Sequence, residues 1–302
     1  MDRTRLDTFN SHRKRLLGVA YRMLGSRSDA EDVVQDAWLR WNAADAGTLQ
    51  SAEAWLVTVT TRLCIDRLRA VRQEREHYKG PWLPEPVIET EDPAPSPEQV
   101  VELASDVSMA FLAVLERLSP DERAAFLLRE VFDLDYPDIA RMLERNEASV
   151  RQLVSRAKTR VREDRPRISV SRDAHRSLLD RFIEATRSGQ QAALQALFAA
   201  DAQFVADGGG KVLSVLKELH GAARIVRFFE MVARQVGPRL DYRHAQVNGE
   251  PGLLRYLDGK FDAALSFVTD GDRILACHVV RNPDKLRQVP AALQSLAPAS
   301  PD

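Results

Sequence analysis

Along the first quarter of the chain, apolar residues recur at helical spacing. Leu6, Phe9, Leu16, Leu17, Ala20, Tyr21 and Leu24 fall on one stripe that stops at Gly25, a residue suited to the left-handed end of a helix. Ser28 and Glu31 have the spacing of a capping box and open a second predicted helix, with Ala30, Val33, Val34, Ala37, Trp38 and Trp41 facing inward. A different face of that helix is acidic. Asp29 and Asp32 complement the macrodipole of the first turn, but Asp36 lies too far along for that. A third helix is predicted from about 52 to 77, with Trp55, Leu56, Val59 and Leu63 apolar and Arg62, Arg67, Arg69, Arg72 and Arg75 placed to track a nucleic-acid backbone.

The periodicity then lapses. Prolines at 81, 84, 86, 93, 95 and 97, mixed with Glu85, Glu89, Glu91 and Asp92, make an extended acidic linker. Beyond it, the run LSPDERAAFLLREVFDLDYPDIARMLERNEASVRQLVSRAKTRVR at 118–162 spells two short amphipathic helices, a turn and a basic third helix, the order of a helix-turn-helix. Ser119, Pro120 and Glu122 form a capping box with a proline where no N–H is needed, and Asp135 and Pro137 open the next helix similarly. Asn146 is the expected N-cap of the third helix, whose apolar stripe is Val150, Leu153, Val154, Ala157 and Val161. Its opposite face carries Ser149, Arg151, Gln152, Ser155, Arg156 and Thr159, flanked by Lys158, Arg160 and Arg162. Arginine reaches guanine bidentately and glutamine reaches adenine, while hydroxyls and cations suit phosphates.

A second boundary falls at about 165–171, where the basic helix ends at a proline. The remainder alternates helix and strand patterns. Leu178, Leu179, Phe182, Ile183 and Ala185 predict a helix closed by Gly189, and 192–199 predicts another. The runs LLRYLD, KFDAALSFVTD and RILACHVVR read as strands joined at Gly259 and Asp270-Gly271. The expected architecture is multidomain: an all-α domain over 1–78, the linker over 79–104, a helix-turn-helix domain over 105–167, an α+β domain with a curved antiparallel sheet over 168–287 and a fraying tail over 288–302.

Composition adds limits. With 302 residues, 44% hydrophobic and 29% charged, the chain is ordinary globular material. No apolar run approaches the roughly 18 residues of a membrane span, and the amino terminus lacks a secretory core, so a cytoplasmic location is expected. Cys64 and Cys277 sit in apolar settings and read as buried free thiols; no metal site and no cofactor are expected. The net charge of -1 is low for a freestanding DNA binder, since non-specific affinity comes from neutralising phosphates. Charge is segregated, with 146–167 locally basic and the stretches around Asp29–Asp36 and Glu85–Asp92 acidic, so much of the DNA affinity is expected from a larger partner.

The segment SRSDAEDVVQDAWLRWN followed by AWLVTVTTRLCIDRLR resembles region 2 of the extracytoplasmic-function (ECF) sigma factors, and 118–162 resembles their region 4. The resemblance implies a protein that binds bacterial core RNA polymerase and directs it to promoters. It implies that Asp29, Glu31, Asp32, Gln35 and Asp36 grip the polymerase clamp in the β′ subunit, with further contacts to β. Arg62, Arg67 and Arg69 would serve the −10 element, and Ser149, Arg151, Gln152, Ser155, Arg156, Lys158 and Arg160 the −35 element. The loop 42–50, which would hold an unpaired −10 base, carries no aromatic platform.

The α+β remainder resembles the SnoaL-like branch of the NTF2-like cone fold. WLPEP (Trp82, Leu83, Pro84, Glu85, Pro86), DGGGK (Asp207, Gly208, Gly209, Gly210, Lys211) and NPDKL (Asn282, Pro283, Asp284, Lys285, Leu286) resemble the marks of sigma factors with a fused SnoaL-like domain. In that subgroup the extension takes the place of a separate anti-sigma partner. Three glycines let backbone approach another surface closely, and Lys211 is expected to meet a linker carboxylate such as Glu85. Cone folds also house enzymes and small-ligand pockets. The acid/base groups that catalysis would need, Asp207, His220, Asp262 and His278, form no diagnostic constellation, so no catalytic residue is expected.

Overall fold

The computed structural model describes residues 3–45, 49, 51–75, 77–89, 107–164 and 170–296, with the backbone alone for 72–75 and 163–164. Expectations for the Arg72 and Arg75 side chains, part of the 42–50 loop, Glu91, Asp92, the prolines at 93, 95 and 97, and the end of the tail fall outside the described residues. Two compact units emerge, one from Met1–His77 and Phe111–Pro166, the other from Tyr78–Ala110 and Arg167–Asp302.

The first unit is helical. α1 (Arg3–Leu24) packs against α2 (Arg27–Ala43) and α3 (Ala52–Arg75). Gly25 ends α1 at φ 65°, its N–H bonding the Tyr21 carbonyl at 2.8 Å. The cap of α2 differs from the Ser28–Glu31 expectation. Ser26 is the N-cap and accepts the Asp29 N–H at 3.2 Å, while Glu31 pairs with Arg27. The Ser26–Asp29 spacing equals that of Ser28–Glu31, so spacing alone does not choose between them. Aromatic contacts Phe9–Trp38 at 5.0 Å and Trp41–Trp55 at 5.6 Å tie the three helices. After α4 (Met109–Leu115) come α5 (Pro120–Glu130), α6 (Tyr136–Leu143) and α7 (Glu147–Asp164), the helix-turn-helix. The predicted stripe Val150, Leu153, Val154, Ala157 and Val161 is buried throughout.

The described residues of the second unit form a seven-stranded sheet in the order β1-β4-β5-β6-β7-β2-β3, with β1 Ile88–Glu89, β2 Phe198–Asp207, β3 Leu219–His220, β4 Leu240–Val247, β5 Glu250–Leu257, β6 Lys260–Thr269 and β7 Ile274–Val280. Among the described residues only the β2–β7 pairing is parallel. Helices α8 (Arg172–Ser188), α9 (Gln191–Leu197) and α10 (Ala222–Val236) cover one face, giving the cone that the resemblance implies. The predicted 192–199 helix stops earlier, at Leu197. FAADAQFVAD continues as β2, where pairing to β7 overrides the alanine-rich helical preference. The hairpin turns at Asn248-Gly249 and Asp258-Gly259 have both residues at positive φ, the geometry that two-residue hairpins favour. Residues 288–296, at the start of the segment expected to fray, pack onto the sheet, with Leu293 buried and its carbonyl accepting the Tyr256 hydroxyl at 2.9 Å.

His175 on α8 is 7% exposed, and burial pushes its imidazole down to about 4. The unfolded chain takes up this proton near pH 6.5 and the folded one only near 4, so the neutral ring's stabilising contribution holds above pH 6.5 and is lost as pH falls towards 4. The loss is about 3 kcal/mol at roughly 1.4 kcal/mol per unit. Urea unfolding at pH 7 and pH 4 is expected to show His175→Phe with a correspondingly shallower pH dependence; an unchanged slope excludes this histidine as the source.

Candidate nucleic-acid interface and linker site

The helix-turn-helix is fixed by its first cap. Ser119 Oγ accepts the Glu122 N–H at 3.3 Å, and Glu122 Oε2 accepts the Ser119 N–H at 3.1 Å. Burial alone raises the Glu122 carboxyl; the Ser119 N–H and hydroxyl, with Arg160 and Arg156, outweigh it and hold the group below the usual carboxylate range. Arg160 reaches Glu122 at 2.6 Å and Arg156 at 3.8 Å, while Lys158 pairs with Glu130 at 2.8 Å. These three −35 candidates therefore also fasten α7 to α5. Ser119→Ala is expected to lower stability by about 1 kcal/mol, read as a shifted thermal midpoint; no shift leaves Glu122 held by its arginines alone.

Arg151, Gln152, Ser155, Arg156 and Arg160 are exposed on α7, and Ser149 is half-buried, its N–H capped by Asn146 at 2.8 Å. Arg151 lies over the Tyr136 ring at 4.1 Å and pairs with Glu147 at 3.4 Å. On α2, Asp32, Gln35 and Asp36 are exposed along one stripe that continues to Leu39, itself 58% exposed. Leu39 is absent from the residues singled out in sequence; an apolar residue on an acidic face is the signal that marks it.

Three arginines of α3 are already engaged. Arg67 donates to Asp29 at 2.8 Å, joining a −10 candidate to a polymerase-contact candidate. Arg62 donates to the Met142 carbonyl at 2.9 Å and pairs with Glu144 at 3.0 Å; Arg69 pairs with Asp121 at 3.2 Å. Arg123 of α5, 2% exposed, donates to the Met23 carbonyl at 2.6 Å and to Glu116 at 3.2 Å. Region 2 and the helix-turn-helix are in direct contact through these groups.

In the second unit the three short motifs converge. Asp207 at the end of β2 is fully buried. Its Oδ2 accepts the Leu83 N–H at 2.9 Å and the Lys285 ammonium at 2.7 Å; its Oδ1 accepts the Gly209 N–H at 3.0 Å and the Tyr78 hydroxyl. Lys285 also donates to the Leu83 carbonyl and sits over the Trp82 ring at 3.2 Å. Asn282 Nδ2 donates to the Tyr78 hydroxyl at 2.9 Å. Burial and then the Asp207 carboxylate push the Tyr78 phenol up, so it remains a donor at physiological pH. Gly209 has φ 62°, and a Cβ there would meet the Asn282 amide at 2.5 Å, so no side chain fits.

Beyond this lock the linker joins the sheet. Val87 exchanges hydrogen bonds with Asn248, and Ile88 and Glu89 pair with Val247 and Gln246 as an added edge strand. Glu85 is buried with its neighbours. The expected Lys211–Glu85 pair is not formed: Lys211 pairs with Asp284, and the cation that meets the linker is Lys285.

The catalytic candidates do not converge. Asp207 is bound in the lock, Asp262 pairs with Arg255 and Arg281, His220 lies near Glu218, and His278 is buried on β7 opposite Ser266. Phe182 meets Phe198, Phe229, Tyr242 and Phe267 edge-on inside the cone. Beside them a cavity of about 630 Å³ is lined by Thr186, Arg187, Glu230, Arg234, Asp241 and Tyr242, and by none of the four candidates. Among the described residues no cluster of metal-ligating side chains occurs and no helix is long and apolar enough to cross a membrane.

Two helical domains in this order, with a basic helix-turn-helix and an acidic helix, define a transcription initiation factor of the sigma-70 class. Sigma-70 region 2 matches residues 8–74 and sigma-70 region 4 matches 108–161. The chain is 37% identical to the ECF RNA polymerase sigma factor SigJ of Mycobacterium tuberculosis (strain ATCC 25618 / H37Rv), over 93% of each chain. It is 32% identical to that strain's probable ECF RNA polymerase sigma factor SigI, over 94% of this chain and 96% of the other. The crystal structure of M. tuberculosis SigJ superposes with a TM-score of 0.73, covering 93% of this chain and 98% of that one. The chain belongs to the ECF RNA polymerase sigma factors.

Proposed function

We propose that this sigma factor binds core RNA polymerase through the Asp29–Asp36 face of α2, reads the −35 element with α7 and the −10 element with α3, and is regulated in cis by its C-terminal cone without a separate anti-sigma protein. The observation that carries the cis reading is the buried Asp207–Lys285 pair closed on Leu83. The linker that would thread towards the polymerase's RNA path is held as an edge strand of the cone. While it is held there the segment is withheld from polymerase, so the lock restrains initiation.

Both promoter elements cannot be read with α3 and the helix-turn-helix in contact. Elements about 25 base pairs apart lie about 85 Å apart on straight duplex, at about 3.4 Å per pair. Initiation therefore breaks the Arg62 and Arg69 contacts and frees those arginines for the −10 strand. The dispersed acid/base groups favour a cone that works by contact rather than by catalysis; the cavity leaves room for a small-molecule ligand.

Run-off transcription with core polymerase tests the reading. Transcript is expected only when the chain is added, and Asp32→Arg with Asp36→Arg is expected to abolish co-purification with core. Binding of core by that double variant at wild-type levels rules out the α2 face.

A further inference from the structure

We infer that Tyr136 is a positioning residue for promoter reading: its ring holds the Arg151 guanidinium in place, and so fixes the base that Arg151 selects. The inference rests on the proposal that α7 enters the major groove, and deepens it by naming what orients the reader.

Tyr136 is the first residue of α6 and half-buried. Two guanidinium groups gather on its ring, Arg151 of α7 at 4.1 Å from the centroid and Arg129 of α5 at 5.1 Å. All three helices of the helix-turn-helix thus meet at one aromatic side chain. Arg129 is tied in turn to the loop before α6, donating to the Leu134 carbonyl at 2.9 Å and pairing with Asp135 at 3.4 Å. Arg151 has a second tether, Glu147 one turn back on its own helix, at 3.4 Å.

Arg151 is exposed and long, so an untethered side chain would spread over many rotamers and lose that freedom on meeting a base. A ring face on one contact and a carboxylate on the other restrict it beforehand, and a planar guanidinium stacked on an aromatic leaves its edge uncovered by the ring for a bidentate pair, with the 3.4 Å contact from Nη2 to Glu147 exchanged for the base. The edge left free is the part that distinguishes guanine from the other bases in the major groove. Tyr136 would therefore contribute to selectivity at one −35 position without reading a base itself.

The test is run-off transcription by core polymerase loaded with each variant, on templates carrying each base in turn at every −35 position. Arg151→Ala locates the position that Arg151 reads by flattening its base preference. Tyr136→Leu is expected to weaken the preference at that same position about tenfold, leaving the others unchanged. Tyr136→Phe and Tyr136→Trp, which keep a ring, are expected to restore it, and Tyr136→Leu added to Arg151→Ala is expected to do nothing more. A uniform loss at all positions, or a Tyr136→Leu preference equal to wild type, overturns the proposal. If Tyr136→Leu fails to fold, the ring-keeping variants still decide, since flattened preference with Tyr136→Trp contradicts it. Failure of the underlying reading looks different: Arg151→Ala then changes no base preference anywhere.

Discussion

Asp207→Ala is expected to release the linker segment from the cone. The substitution leaves the Lys285 ammonium buried without its carboxylate and strips acceptors from the Leu83 and Gly209 N–H groups and the Tyr78 hydroxyl. Removing one partner of a buried ion pair costs about 3–5 kcal/mol, because the remaining charge is left uncompensated. The remaining hold comes from the Lys285 bond to the Leu83 carbonyl, the Trp82 ring over Lys285, Val87, the two-residue strand β1 and the burial of Leu83, Val87 and Ile88, and it is this hold that the lost ion pair weakens. Hydrogen exchange at the Leu83 and Val87 amides is therefore expected to accelerate by two to three powers of ten, at about 1.4 kcal/mol per power. Unchanged protection of those amides shows that the lock does not hold the linker.

Arg123→Met is expected to have an effect of similar size in the first unit. The guanidinium of Arg123 is 2% exposed and is spent on two acceptors, the Met23 carbonyl that ends α1 and the Glu116 carboxylate, which is itself 10% exposed. Methionine fills much of the same space but satisfies neither, so a largely buried carboxylate and a helix-end carbonyl both lose the Arg123 donor. About 3–5 kcal/mol of stability is lost on this basis. Urea unfolding followed by far-ultraviolet circular dichroism, which weights the helical unit, reads this out. A change under about 1 kcal/mol would mean that the helix-helix packing carries the region 2 to region 4 contact without the charge. Arg123→Lys separates the two effects: one guanidinium nitrogen, Nη1, donates to both acceptors, and lysine keeps the charge while placing its ammonium on a differently shaped side chain.

What the sequence disclosed follows the range of each interaction. The Ser119 cap, the buried stripe of α7, the Gly25 and Gly189 stops and the β5, β6 and β7 runs all arise within a few residues, so periodicity and cap spacing reach them. The choice between Ser26 and Ser28 is not encoded in spacing, since each serine stands three residues before an acidic one. Phe198–Asp207 reads locally as the continuation of a helix because its strand identity comes from β7, far along the chain. WLPEP, DGGGK and NPDKL could be picked out as motifs, yet their pairing could not. Lys285 and Lys211 are both cations in motif company, and only the fold places Lys285 over Trp82 and Lys211 beside Asp284. Tyr78, outside all three motifs, enters through its hydroxyl on Asp207 and through its ring, which meets Trp82 at 4.7 Å and lies under Lys285 at 5.3 Å.

Cis restraint by the lock is tested most directly by run-off transcription from one promoter, using core polymerase carrying equal occupancy of the wild-type chain or Asp207→Ala. Linker release is expected to raise transcript yield several-fold. An equal or lower yield from Asp207→Ala, with hydrogen exchange showing the linker freed, would contradict restraint by the C-terminal domain.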